Sequence, residues 1–90
     1  MPTSQLNRIF NVLGEARYRA MIRHLLRSEM TVQELGFATQ FNEDHIRNDL
    51  QMLMRVGIVS RAPRGAAGSK HRYRVREGVL ESAWDSWRRL

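Results

Sequence analysis

The side chains best able to do chemistry lie in two places, the stretch "FNEDHIRNDL" at residues 41–50 and a basic run downstream of it. The first sets Glu43, Asp44, His45, Arg47 and Asn48 close together, so hydrogen-bonding groups of both signs share one short segment. From Arg55 to Arg76 the chain carries Arg55, Arg61, Arg64, Lys70, Arg72, Arg74 and Arg76 without one Asp or Glu. Acids are ordinarily interspersed on a solvated face, and their absence marks a footprint suited to neutralising phosphates. Residues 1–45, by contrast, hold five Arg and five acids that cancel, so the net charge of +6 resides downstream.

Covalent and metal chemistry find little support. The chain has no cysteine, which removes disulfides, thiolate metal sites and a cysteine nucleophile and accords with a reducing cytoplasm. His24, His45 and His71 are scattered, with no carboxylates at a ligand spacing to join them. "GAAGSKH" matches a phosphate loop only superficially: it lacks the Gly-Lys-[Ser/Thr] ending and falls between two strand-like segments. Neither an enzyme nor a bound cofactor is expected. Ninety residues fit one domain with a modest core, for which a partner surface would be a gain. No run of about 18 apolar residues occurs, and "MPTSQLNR" lacks the apolar core of a signal peptide, so the expectation is a soluble, intracellular chain.

Hydrophobic periodicity supplies the elements that must hold these groups in place. Leu6, Ile9, Phe10 and Leu13 form a helical stripe that Gly14 can end. A second helix from Glu15 to about Ser28 has Tyr18, Met21, Ile22, Leu25 and Leu26 on its apolar face and Arg19, Arg23 and Arg27 along a basic edge. Thr31 and Glu34 fit a capping box for a short third helix containing Val32, Leu35 and Phe37 or Ala38. Asn42 is an N-cap for a fourth helix reaching about Val56, with Ile46, Leu50, Leu53 and Met54 inward and Gly57 as its stop. "IVSRAPR" and "HRYRVR" then read as two short strands joined by the Gly-rich tip "GAAGS". A last helix aligns Leu80, Ala83, Trp84, Trp87 and Leu90. The expected core draws on Ile22, Leu25, Leu26, Leu50, Leu53 and Val59.

A very short connection, "TQFN", joins the third and fourth helices and fits a helix-turn-helix unit. The order of a support helix, a second helix ending in "MLMRVGIV" and a basic hairpin resembles the winged helix. "LGEARYRAMIRHLL", "MTVQEL", "HIRNDLQMLMRVGIV" and "SKHRYRV" resemble matching segments of the arsenic-repressor (ArsR) family of small transcriptional regulators. "HIRNDL" is also similar to the recognition helix of the deoxyribonucleoside-repressor (DeoR) family. The resemblance implies an α+β winged helix-turn-helix domain over residues 1–90, with an N-terminal helix at 1–14, the helix-turn-helix at 31–57, the wing at 58–76 and a C-terminal helix at 78–90.

It further implies a double-stranded DNA partner, read by the outer face of the fourth helix. On a 100° wheel that face presents Asp44, Asn48, Gln51 and Arg55, flanked by His45 and Arg47. Asn48 and Gln51 can pair bidentately with adenine and Arg47 with guanine. Glu43 and Asp44 suit the unpaired N–H groups and positive dipole end of a first helical turn, and a carboxylate there can accept from cytosine N4 while repelling phosphates. Arg64, Lys70, Arg72 and Arg74 are the expected wing contacts to the minor groove or its phosphates. As in the resembling family, the terminal helices would form a homodimer interface, through Leu6, Phe10, Leu80, Trp84 and Trp87. Metal-sensing members carry Cys ligands in the third helix; "TVQEL" has none, and Glu77, Glu81 and Asp85 do not reproduce the C-terminal His and Asp pattern, so no metal is expected. The leading expectation is a dimeric repressor in the cytoplasm, associated with the nucleoid and not with a membrane. A winged-helix protein-interaction module and a plasmid or phage replication or partition factor are the alternatives.

Overall fold

The computed structural model describes residues 1–63 and 70–90. Five helices run in chain order: α1 (Thr3–Leu13), α2 (Ala16–Arg27), α3 (Val32–Thr39), α4 (Glu43–Arg55) and α5 (Val79–Arg88). Between α4 and α5 lie β1 (Val59–Arg61) and β2 (Tyr73–Val75), paired antiparallel with Val59 opposite Val75 and Arg61 opposite Tyr73. The tip "GAAGS" and Arg64 lie outside the described residues.

Local chemistry sets the helix ends. Thr31 Oγ1 accepts from the Glu34 N–H at 3.1 Å while Glu34 Oε1 accepts from the Thr31 N–H at 2.9 Å, the reciprocal capping box expected from the sequence. Asn42 Oδ1 accepts from the N–H groups of Asp44 and His45, at 2.8 and 3.4 Å, and starts α4. Gly57, at φ +87°, takes the left-handed conformation that turns the chain out of α4 into β1. The turn between α3 and α4 is only Gln40 to Asn42 and bends at Gln40, whose φ is +63°. Gly36 lies close against that turn, where a Cβ would come within 3.3 Å of Glu43 Cγ, 3.5 Å of the Phe41 carbonyl oxygen and 3.7 Å of Ile46 Cδ1.

The core collects Ile9, Met21, Ile22, Leu25, Leu35, Ile46, Leu50, Leu53, Ile58 and Val59, and among the described residues no polar or charged side chain is fully buried. Three apolar expectations are corrected. In α1 the buried stripe is Leu6, Ile9 and Val12, with Phe10 and Leu13 half-buried, because α5 lies against α1 and Phe10 meets Trp87 at a ring separation of 5.4 Å. Leu26 is 57% exposed: Tyr18, Met21, Ile22 and Leu25 already fill the inward arc of α2, and the next position falls off it. Phe37 is 83% exposed and Ala38 is exposed as well, so Leu35 anchors α3 together with the half-buried Val32.

The hairpin is also more than two strands. Met30, in the link between α2 and α3, bridges Tyr73 with N–H···O contacts of 3.1 and 2.8 Å, so β2 is paired on both edges. Further bonds from Ala62 N–H to the Arg72 carbonyl and from Arg76 N–H to the Ile58 carbonyl, each 2.8 Å, continue the ladder past both ends of the strands. These contacts attach the hairpin firmly to the helices.

Candidate nucleic-acid interface

Helix α4 presents its polar arc outward. Asp44, His45, Arg47, Asn48, Gln51 and Arg55 are all exposed, while Ile46, Leu50 and Leu53 hold the opposite side in the core. The exposed residues do not share one environment, however. Arg47 bends back to the first turn, where Nη1 lies 3.1 Å from Asp44 Oδ1 and Nη2 lies 3.5 Å from Glu43 Oε1. The two acids therefore hold a guanidinium in addition to facing the helix N-terminus.

On the side of α4 toward the hairpin, a groove of about 350 Å³ is lined by Glu43 and Arg47 of α4, by Thr31, Val32 and Gln33 at the start of α3, and by Lys70, His71 and Tyr73. Lys70 Nζ donates to Gln33 Oε1 at 3.0 Å, which holds the base of the hairpin beside α3. Arg47 and Lys70, far apart in sequence, thus face one concavity.

Arg72 stands apart from the other basic residues. Its Nη2 donates to the Glu29 carbonyl at 2.9 Å, its Nη1 pairs with Glu34 Oε1 at 3.2 Å, and its Nε lies 3.9 Å from Glu29 Oε1. Two acids from the α2–α3 region neutralise it. The run between Arg55 and Arg76 is free of acids in sequence but not in space. The Thr31 N–H, with the Arg72 charge behind it, holds the Glu34 carboxyl below the ordinary glutamate range.

The remaining expected residues are dispersed. Arg74 lines a separate groove with Ser60, Val75, Arg76 and Glu77. Arg55, near the end of α4, turns to a groove against α1. His45 and Asn48 sit with Arg17 and Asp49 beside the start of α2. There Arg17 Nε lies 3.4 Å from Asp49 Oδ2, and the Asp49 side chain is only 14% exposed. Burial pushes the Asp49 carboxyl up, against the pull of Arg17. The Arg17–Asp49 pair ties α2 to α4, and its one signal in the sequence is an acid on the inward flank of the α4 wheel.

At the terminal helices, Leu6 is corrected. It is 1% exposed and belongs to the chain's own core, so it has no surface to offer a partner. Phe10 and Leu80 are half-buried, whereas Trp84 and Trp87 are 54% and 53% exposed. Among the described residues, no cluster of three or more His, Asp or Glu could hold a metal ion, and no helix is long and apolar enough to cross a membrane.

No protein-family model matches the sequence, and no curated protein matches it significantly. Solved structures do match. An ArsR-like transcriptional regulator from Rhodococcus sp. RHA1 superposes with a TM-score of 0.84 at 20% identity, over 96% of this chain and 78% of that one. The homodimeric winged helix-turn-helix DNA-binding domain of a possible ArsR-family regulator from Mycobacterium bovis gives 0.77 at 24% identity, over 93% and 76%. HlyU from Vibrio cholerae N16961 gives 0.76 at 16% identity, over 97% and 91%.

The fold is a winged helix-turn-helix. Helices α3 and α4 are its helix-turn-helix and the β1–β2 hairpin is its wing, as the sequence resemblance implied. Within that fold, the Arg47–Lys70 groove lies between the second helix of the helix-turn-helix and the base of the wing.

Proposed function

We propose that this chain is a sequence-specific double-stranded DNA-binding transcriptional regulator, a homodimeric repressor that acts in the cytoplasm on the nucleoid. Helix α4 enters the major groove, with Asn48 and Gln51 addressing bases and Arg47 exchanging its two carboxylates for a guanine or a phosphate. The base of the wing lies on the adjoining backbone through Lys70. The observation that carries this reading is the groove in which Arg47 of α4 and Lys70 of the wing converge, beside an exposed polar arc of α4. Its placement in a winged helix-turn-helix similar to structures of ArsR-like regulators supports the reading.

Dimerisation follows the same logic. Two half-exposed tryptophans one turn apart on α5, beside Phe10 of α1, form an apolar surface suited to a two-fold partner. One selection of bound fragments from random duplex DNA tests the proposal directly: a recurring pair of half-sites is the expected result, and an unenriched pool would overturn it. A protein-interaction module is the second reading, favoured by the solvent-facing Phe37 on α3. Salt separates the two. Phosphate binding falls with a log–log slope of about −0.9 per neutralised phosphate, whereas an apolar protein contact barely responds.

A further inference from the structure

The groove that receives Arg55 has an unusual lining. It runs between α1 and α4, encloses about 460 Å³, and is formed by Arg8, Asn11, Val12, Glu15, Tyr18, Met52, Arg55 and Val56. Val12, Tyr18 and Val56 are buried core residues whose outer surfaces make the floor, and the half-buried Met52 adds a pliable wall. Arg8 and Arg55 come to it from opposite helices. Neither forms an ion pair with an acid among the described residues, and the one carboxylate in the lining, Glu15, is engaged by Arg17 at 3.3 Å. The hydrogen bond from Gln5 Nε2 to the Val56 carbonyl, 3.5 Å, joins the two elements beside the groove.

We infer that this groove is a binding site for a small amphipathic anion, an aromatic or similarly apolar body bearing one carboxylate. The volume lies in the range of small-molecule sites, whose linings are mostly apolar with a few polar groups that fix orientation. The apolar floor buries the body; the two guanidiniums, each with five donors in a planar fork, hold the carboxylate. A phosphodiester strand satisfies the guanidiniums but has nothing to place on Val12, Tyr18 and Val56, so the composition favours the small anion over nucleic acid. This site is separate from the Arg47–Lys70 groove and stands whether or not the chain reads DNA.

The test uses 2-naphthoate and its uncharged isostere 2-naphthamide as probes of the full chain, followed by amide and methyl chemical shifts. Saturable binding of 2-naphthoate, with shifts centred on Val12, Tyr18 and Val56 and about tenfold weaker binding of the amide, is the expected result, tenfold being the loss of one charge-assisted contact. Arg8→Gln and Arg55→Gln, both at exposed positions, each weaken 2-naphthoate about five- to tenfold and leave the amide unaffected. Asn11→Trp fills the groove from its exposed rim and abolishes both. Equal affinity for the two probes, binding that survives the Arg8→Gln/Arg55→Gln double variant, or shifts confined to Trp84 and Trp87 would each overturn the inference. So would a short duplex that shifts these residues while 2-naphthoate leaves them unmoved, since the guanidiniums would then serve phosphates.

Discussion

Arg72 illustrates how a charge acquires its role from its neighbours. Held by Glu29 and Glu34, it fastens the wing to the α2–α3 region. Arg72→Ala is expected to lower stability by about 1 kcal/mol in urea titrations, a figure kept small because the site is half-exposed, whereas Arg74→Ala changes it by no more than a few tenths. The two shifted carboxyls act oppositely with pH. Glu34 is held below its unfolded value of about 4.3, so its contribution is full above that pH and is lost as pH falls through the folded value. Asp49 is raised, so the folded state binds its proton more tightly and the protein gains from it on acidification. Glu34→Gln therefore flattens the acid loss of stability and Asp49→Asn steepens it, as urea midpoints measured from about pH 6 down to 3 will report. Asp44→Ser should free Arg47 of one of its two carboxylates, leaving Glu43, cost a few tenths of a kcal/mol, and raise affinity for every duplex. Unchanged affinity in a filter-binding assay would mean that α4 does not face the phosphates.

At the scale of elements, the wing is anchored along both edges of its second strand. Its second strand pairs with β1 on one edge and Met30 on the other, and Lys70 and Arg72 cross to Gln33, Glu29 and Glu34. These contacts seat the base of the wing against the start of α3, which places Lys70 in the same groove as Arg47. Lys70→Ala is expected to weaken binding to all duplexes alike and flatten the salt slope by about one unit. Arg72→Ala leaves the slope unchanged, because its charge is already met by two acids within the protein. Equal slopes for wild type and Lys70→Ala would remove the wing base from the interface.

The whole molecule divides its apolar groups between two destinations. Leu6 and Ala83 are buried inside the protomer, while Trp84, Trp87 and Leu90 remain at the surface of the same terminal layer. The two indoles are left about half exposed, the apolar surface that the proposed dimer would cover. Trp84→Ser with Trp87→Ser is expected to shift the protein to monomer in analytical ultracentrifugation, and to weaken binding to a full site more than to a half-site, because the second protomer no longer arrives tethered. A wild-type monomer at tens of micromolar, roughly the range in which a stable dimer would persist, would sink the dimer proposal.

The helices, their caps and the hairpin could be read from the sequence because each depends on groups within a few residues of one another. Thr31 meets Glu34, Asn42 meets Asp44, and Gly57 turns the chain wherever α4 happens to pack. The polar arc of α4 was legible for the same reason: a helical period places Asp44, Asn48 and Gln51 together whatever lies opposite. What each charge or apolar group is used for was not legible. Arg72 and Glu29 are 43 residues apart, Lys70 and Gln33 are 37 apart, and Arg17 and Asp49 sit on different helices. Their pairing depends on how closed surfaces meet, and chain closure sets that. The same holds for Leu6 and Leu26, whose hydrophobicity predicts burial for both. Which arc of each helix the fold covers put Leu6 inside and left Leu26, just off the inward arc of α2, in water. A side chain's type follows from the sequence, but its dielectric surroundings and its partners, which decide whether it stabilises the fold or stands ready to bind, exist only once the chain has folded.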